Sequence, residues 1–129
     1  MKKKFFCVAL TLVICMTVFS PTFAAETKQA LGKCFFSSSG RNVTFSGYSS
    51  SIKIEDVISV RVTLWEKRDS TWYAIDGAYE RLEKAKFVSA GDSMTVDGGH
   101  YYKVTATHYS KLNGVSYSIK TETASKWIG

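Results

Sequence analysis

From Val57 to Glu66 the chain alternates without a break, with Ile58, Val60, Val62 and Leu64 on one side and Ser59, Arg61, Thr63 and Trp65 on the other. A period of two is the pattern of a half-buried β-strand. The polar residues Lys67 to Ser70 predict a four-residue loop, and Thr71 to Tyr79 the returning strand. Pairing Glu66 with Thr71 predicts Leu64 opposite Tyr73, Val62 opposite Ile75 and Ile58 opposite Tyr79 on the inner face. Outside, Arg61 then meets Asp76 and Trp65 meets Trp72, an opposite-charge pair and an aromatic pair of the kind that stabilises a sheet across strands.

A second alternation, Tyr102, Val104 and Ala106 against Lys103, Thr105 and Thr107, runs toward Asn113-Gly114. Asn-Gly suits a two-residue hairpin turn because both central positions need positive φ. With Leu112 opposite Val115, the pairs Ser110–Tyr117 and His108–Ile119 share a face. Shorter strands are predicted at Val43 to Tyr48, Ile52 to Ile54, Ala85 to Ser89 and Met94 to Val96, parted by Gly47-Tyr48-Ser49-Ser50, Gly91-Asp92 and Asp97-Gly98-Gly99 turns. Tyr79 to Phe87 is rich in helix formers and reads as either a short helix or a strand. Residues 26–40, small and polar, read as a flexible lead-in, so that the folded domain spans 41–129. Seven or eight short strands in this length predict an all-β domain, an antiparallel β-sandwich of immunoglobulin or fibronectin type, with a barrel as the alternative.

Composition changes this picture mainly at the N-terminus. Lys2 to Lys4, an apolar run from Phe5 to Phe19, and the small residues that close on Ala25 have the three parts of a secretory signal, residues 1–25, cleaved after Ala24 or Ala25. That apolar run is shorter than the roughly 20 residues of a spanning helix, so no stable membrane insertion is expected. Without the signal, 14 of the 17 basic residues face all 11 acidic ones, a net charge of +3. The remaining charges are interleaved, as in Glu66-Lys67-Arg68-Asp69, with no basic stripe of the kind nucleic acid requires. Only Cys34 remains of the three cysteines, which excludes an intramolecular disulfide and leaves a thiol in the lead-in that could cross-link chains. Beyond the signal, Val, Ile and Thr number 8, 6 and 9 against 4 Leu and no Pro, a balance that favours strands. A Lys-rich signal without disulfides points to a Gram-positive bacterium and an extracellular location.

The residues offer little assembled chemistry. His100 and His108 fall on one strand face, and eight residues at about 3.3 Å each place them too far apart to share a metal. Gly91-Asp92-Ser93 resembles the nucleophile block of GDS-type esterases but lacks their distant Asp-x-x-His and their larger α/β sheet. Glu55-Asp56 point to opposite faces of a strand, poor geometry for paired-carboxylate hydrolysis or a calcium cage. No catalytic, cofactor or metal residue is therefore assigned, and the chain reads as a non-enzyme. Aromatics are the enriched class. Trp65, Trp72, Tyr101 and Tyr109 fall on outer faces by alternation and are the candidate ligand contacts.

Val57 to Trp65, Trp72-Tyr73, and Gly99 to His108 with the Asn-Gly turn that follows also carry a resemblance. Over residues 41–123 the chain resembles an uncharacterised family of small secreted all-β proteins from clostridia- and bacillus-like Gram-positive bacteria. The resemblance implies an exported β domain and supplies no functional residue. The expected function is a secreted module that binds a cell-surface glycan, wall polymer or protein through an outer sheet face. The alternative is a small bacteriocin-like antagonist acting at a competitor's envelope.

Overall fold

A computed structural model describes residues 30–129, so the expected signal at 1–25 lies outside the described residues. Those residues form six strands: β1 (Ala30–Ser39), β2 (Asn42–Arg68), β3 (Thr71–Thr95), β4 (His100–Leu112), β5 (Val115–Glu122) and β6 (Lys126–Ile128). Every ladder is antiparallel. β3 runs along one side of β2, while β1 and then β4 pair with its other side, and β5 and β6 pair with β4. No described helix is long and apolar enough to cross a membrane.

Two strands are far longer than the short ones expected. β2 joins the segments predicted at 43–48, 52–54 and 57–66 into one strand of 27 residues. The presumed turn Gly47-Tyr48-Ser49-Ser50 stays extended because it is paired on both sides, with β1 and with β3. Ser49 points inward with no exposed surface, and its hydroxyl donates to the carbonyl of Ser59 at 2.8 Å. β3 likewise continues through Gly91-Asp92 and through 79–87, where ladder pairing with β2 overrides the helix formers. Near the middle, the β2–β3 register shifts between Ser50 and Glu55, and Lys84 takes a positive φ of 54°.

That irregularity lets the sheet curl over on itself. Its first limb comprises β1, the start of β2 and the end of β3; its second comprises the rest of β2 and β3 with β4, β5 and β6. Val43 and Phe45 of the first limb meet Ile58, Val60, Val62, Leu64, Val104 and Ala106 of the second in one core. Burying side chains of this size is worth about 1.5–3 kcal/mol each. Gly47 lies against Val62 and Ala106, where a β-carbon would come 3.0 Å from the Val62 methyl.

The lead-in prediction is corrected by β1. Ala30–Ser39 pairs with Ser51–Asn42 along its whole length, and its inward residues Cys34 and Phe36 pack on the core. Its serines and glycine had looked like a linker, but they fill a strand that lies close to a neighbouring layer.

The first predicted hairpin exists with a different register. Its turn is Asp69-Ser70 alone, with φ of 48° and 72°, so Arg68 pairs with Thr71 and Trp65 with Ala74. A bulge between Leu64 and Trp65 then sets Leu64 opposite Asp76 and Arg61 opposite Tyr79. The polar run Lys67 to Ser70 concealed two residues that belong to the strands. Tyr79 is thereby turned outward opposite Arg61, while Tyr73 stays on the face of Glu66; both, expected inside, are nearly half exposed. The Asn113-Gly114 hairpin matches its expectation: Leu112 pairs with Val115, Ser110 with Tyr117 and His108 with Ile119, and the turn residues have φ of 52° and 81°.

Candidate functional site

Pairing register assigns the outer face of the second limb as a grid of rows running across the strands. Tyr79, Arg61, Thr107 and Lys120 make one row, and Gly77, Thr63, Thr105 and Glu122 the next. Ala74, Trp65 and Lys103 follow, then Trp72 with Lys67. The Gly77 row carries only small side chains at its centre, between the larger Arg61 and Tyr79 on one side and Trp65 and Lys103 on the other. This leaves a trough of about 270 Å³ lined by Arg61, Thr63, Gly77, Ala78 and Tyr79.

All four aromatics expected outside fall on this face, though not as expected. Trp65 and Trp72 are half-buried and stand in adjacent rows, not opposite one another. The Trp65 indole N–H donates to Thr105 Oγ1 at 2.8 Å, which ties its ring to the Gly77–Thr63–Thr105 row. Lys103 places its ammonium 4.5 Å from the centre of the Trp72 ring and is also bonded to Glu122 at 3.0 Å. Arg61 stacks its guanidinium over Tyr79 at 4.3 Å. Ring quadrupoles attract cations in this position, and of the two basic groups Arg61 also lines the trough.

Tyr101 is exposed and meets Trp127 of β6 edge to face at 5.1 Å. They line an open pocket of about 350 Å³ with Lys67, Asp69, Ser70 and His100. The His100 ring is fixed by an Nδ1 contact of 3.0 Å with the Lys67 carbonyl. Tyr109 stands apart toward the far end of β4, its hydroxyl 3.0 Å from that of Ser116, and joins neither the trough nor the pocket.

The outer face of the first limb holds a second aromatic group that sequence reasoning missed. Phe35, Tyr48 and Phe87, one from each of β1, β2 and β3, form a row with ring centres 6.0 and 5.6 Å apart and planes inclined by 27°. Phe35 and Phe87 are about half exposed, and Leu31 lies exposed near them on β1. The row borders a groove of about 560 Å³ that reaches across Ser46 and Gly91 to Tyr79 and Glu80. The three rings come from segments whose pairing the sequence does not reveal: Phe35 from the expected lead-in, Tyr48 from the end of a predicted strand that overlaps an expected turn, and Phe87 from a stretch that reads as either strand or helix. Alternation of Leu31, Lys33 and Phe35 against Gly32, Cys34 and Phe36 was the available signal, obscured by the glycine and the serines after it.

The polar groups inside the fold are structural in their geometry. His108 is fully buried, with Nδ1 3.0 Å from Ser49 Oγ and Nε2 2.7 Å from Thr121 Oγ1. Ser49 gives its proton to the Ser59 carbonyl, so Nδ1–H donates to Ser49 and Nε2 accepts from Thr121. Burial holds His108 below the ordinary histidine pKa, in the neutral form this arrangement needs. A serine so enclosed cannot meet a substrate. Glu66 is buried beside the Tyr102 hydroxyl at 2.7 Å and is also bonded by Arg68. Cys34 sits half-buried on the core, with Sγ 3.6 Å from the Val104 carbonyl, and burial pushes its thiol pKa up. Its place is thus a packed strand, not the flexible segment from which chain cross-linking was expected. Among the described residues no three His, Cys, Asp or Glu side chains converge to hold a metal.

No protein-family profile matches the chain, and no curated protein does. Two solved structures are similar in shape. CsgH of R. palustris, determined in solution, aligns with a TM-score of 0.46 at 12% identity, covering 72% of this chain and 89% of that one. Wild-type OgpA from Akkermansia muciniphila, a crystal structure, aligns at 0.39 and 12% identity, covering 78% of this chain and 30% of that one. Neither likeness bears on function.

Proposed function

We propose that the protein is a secreted, non-enzymatic binding module of a Gram-positive bacterium, and that it takes a cell-surface glycan, wall polymer or protein across the outer face of its second limb. The two limbs act as the layers of an immunoglobulin-like sandwich, a rigid support on which side-chain tops alone make the site. The observation that carries the reading is that strand register puts Trp65, Trp72 and Tyr101, with Trp127 against Tyr101, on the same outer face as the Gly77–Thr63–Thr105 row. Exposed aromatics flanked by hydroxyls and ordered cations suit binding, because large ring area is offered at low conformational cost and polar groups beside it set orientation. Binding rather than catalysis is favoured because the Ser49–His108 pair lies wholly inside the core.

Retention of the full chain on purified cell walls tests the reading. A Trp65→Ala, Trp72→Ala variant and a separate Tyr101→Ser, Trp127→Ser variant are compared with wild type after circular dichroism has shown each to be folded. The module reading expects retention to fall by about tenfold in one or both. Undiminished retention in both removes the outer face as the site, and leakage from neighbouring cells would favour the antagonist reading instead.

A further inference from the structure

We propose that the groove of the first limb and the trough of the second form one track for a neutral linear polysaccharide, which crosses the free edge of β3 at Tyr79. This rests on the polymer-binding reading above and names both the class of polymer and its path. Ala78 and Tyr79 line the groove of about 560 Å³ and the trough of about 270 Å³ alike, so the two adjoin at these residues. From the Phe35–Tyr48–Phe87 row the track passes over Ser46 and Gly91. A β-carbon at Gly91 would lie 2.8 Å from both the Phe45 carbonyl oxygen and the Ser46 β-carbon, so this position keeps the floor clear. Beyond Tyr79 it continues along Gly77, Thr63 and Thr105 to the Trp65 ring.

The direction of the track narrows the ligand class. An extended peptide is bound by adding its backbone to a free strand edge and lying parallel to it. Here the path runs across the strands, and its floor is made of side chains except where it crosses β3. A polyanion needs free cations along its path. Among the described residues lining the groove and the trough Arg61 is the one basic side chain, Glu80 sets a carboxylate against it, and Lys103 nearby is already bonded to Glu122. What remains is ring faces alternating with the hydroxyls of Ser46, Ser89, Thr63 and Thr105, which match the C–H faces and hydroxyls of successive sugar units.

A track of this kind gains affinity with ligand length until it is filled, because each further unit binds as part of one molecule. The full chain is titrated calorimetrically with a β-1,4-glucan, chitin, xylan, mannan and, as an acidic comparator, polygalacturonate. The best binder is then tested as oligomers of two to eight units. Affinity is expected to rise by about tenfold from trimer to hexamer, and Tyr79→Ser and Phe87→Ser are each expected to flatten that rise while leaving thermal unfolding unchanged. Equal affinity of all lengths, or indifference to both substitutions, overturns the continuous track but leaves binding through the second limb standing. Preference for polygalacturonate overturns the neutral class, as does failure on every polysaccharide by a protein that still binds cell walls. Failure on cell walls as well overturns the module reading itself.

Discussion

Gly32 lies directly against the ring of His108, where a β-carbon would fall 2.1 Å from Nδ1 and 2.4 Å from two further ring atoms. The contact joins β1 to β4 across the core, and only a residue without a side chain permits it. Gly32→Ala should therefore displace either the strand or the ring. Overpacking of this kind costs about 1–3 kcal/mol, and chemical denaturation should show a loss in that range. An unchanged midpoint would mean that β1 is not seated as described.

The same histidine predicts how stability depends on pH. Burial lowers its pKa in the folded state below the ordinary 6.5, so the unfolded chain binds the proton first as pH falls. Stability should then decline from about pH 6.5 downward, since it rises with pH wherever the unfolded state holds more protons. His108→Gln, which stays neutral, should flatten the decline between about pH 6.5 and 5 when denaturant midpoints are followed across that window. An equally steep decline in the variant would place the sensitivity elsewhere.

Tyr102 anchors the opposite end of the core. Its hydroxyl is 2.7 Å from Glu66 Oε2 and 2.6 Å from the Asp97 carbonyl oxygen. Burial opposes ionisation of Glu66, but the bonds from Tyr102 and Arg68 outweigh it and hold the carboxyl below its usual pKa. The contribution of this carboxylate is thus present at neutral pH and lost as pH falls through the folded-state value, below 4.5. Tyr102→Phe leaves a buried carboxylate short of a donor, at a cost of about 1–3 kcal/mol at pH 7. The difference from wild type should shrink in acid, which unfolding measured at pH 7 and pH 4 would show.

The Asp69-Ser70 turn holds two non-glycine residues at positive φ. Glycine takes this conformation without the steric penalty of a β-carbon, although it also loses more freedom on folding. Ser70→Gly should therefore stabilise the protein by a net of about 0.5 kcal/mol, read as a small rise in Tm. A fall would indicate that the Ser70 side chain makes a compensating contact.

Local pattern was legible where one residue type decides the geometry. The alternation from Ile58 to Leu64 appears as four fully buried side chains, and Asn113-Gly114 set its hairpin register because that pair specifies a two-residue turn. The Asp69-Ser70 hairpin slipped because nothing in Lys67-Arg68-Asp69-Ser70 marks which two residues turn, and the bulge beside Leu64 compounds the error. β1 escaped notice for a related reason. Gly32 and Ser37 to Ser39 suit a linker by composition, and the need for glycine at position 32 arises only from a ring 76 positions later in the chain. Of the candidate site, the side of the sheet carrying Trp65, Trp72, Tyr101 and Tyr109 followed from alternation, whereas the trough depends on Gly77 standing opposite Thr63, which only the true register reveals.

A backbone-amide NMR titration with solubilised cell-wall polysaccharide tests the central claim, that the outer face of the second limb is the binding surface. The account predicts shifts concentrated at Thr63, Trp65, Gly77, Lys103 and Thr105, together with the Trp65 indole N–H. Saturable binding with shifts confined to the Asn113 turn and the free edge of β5, and none in the trough, would contradict it.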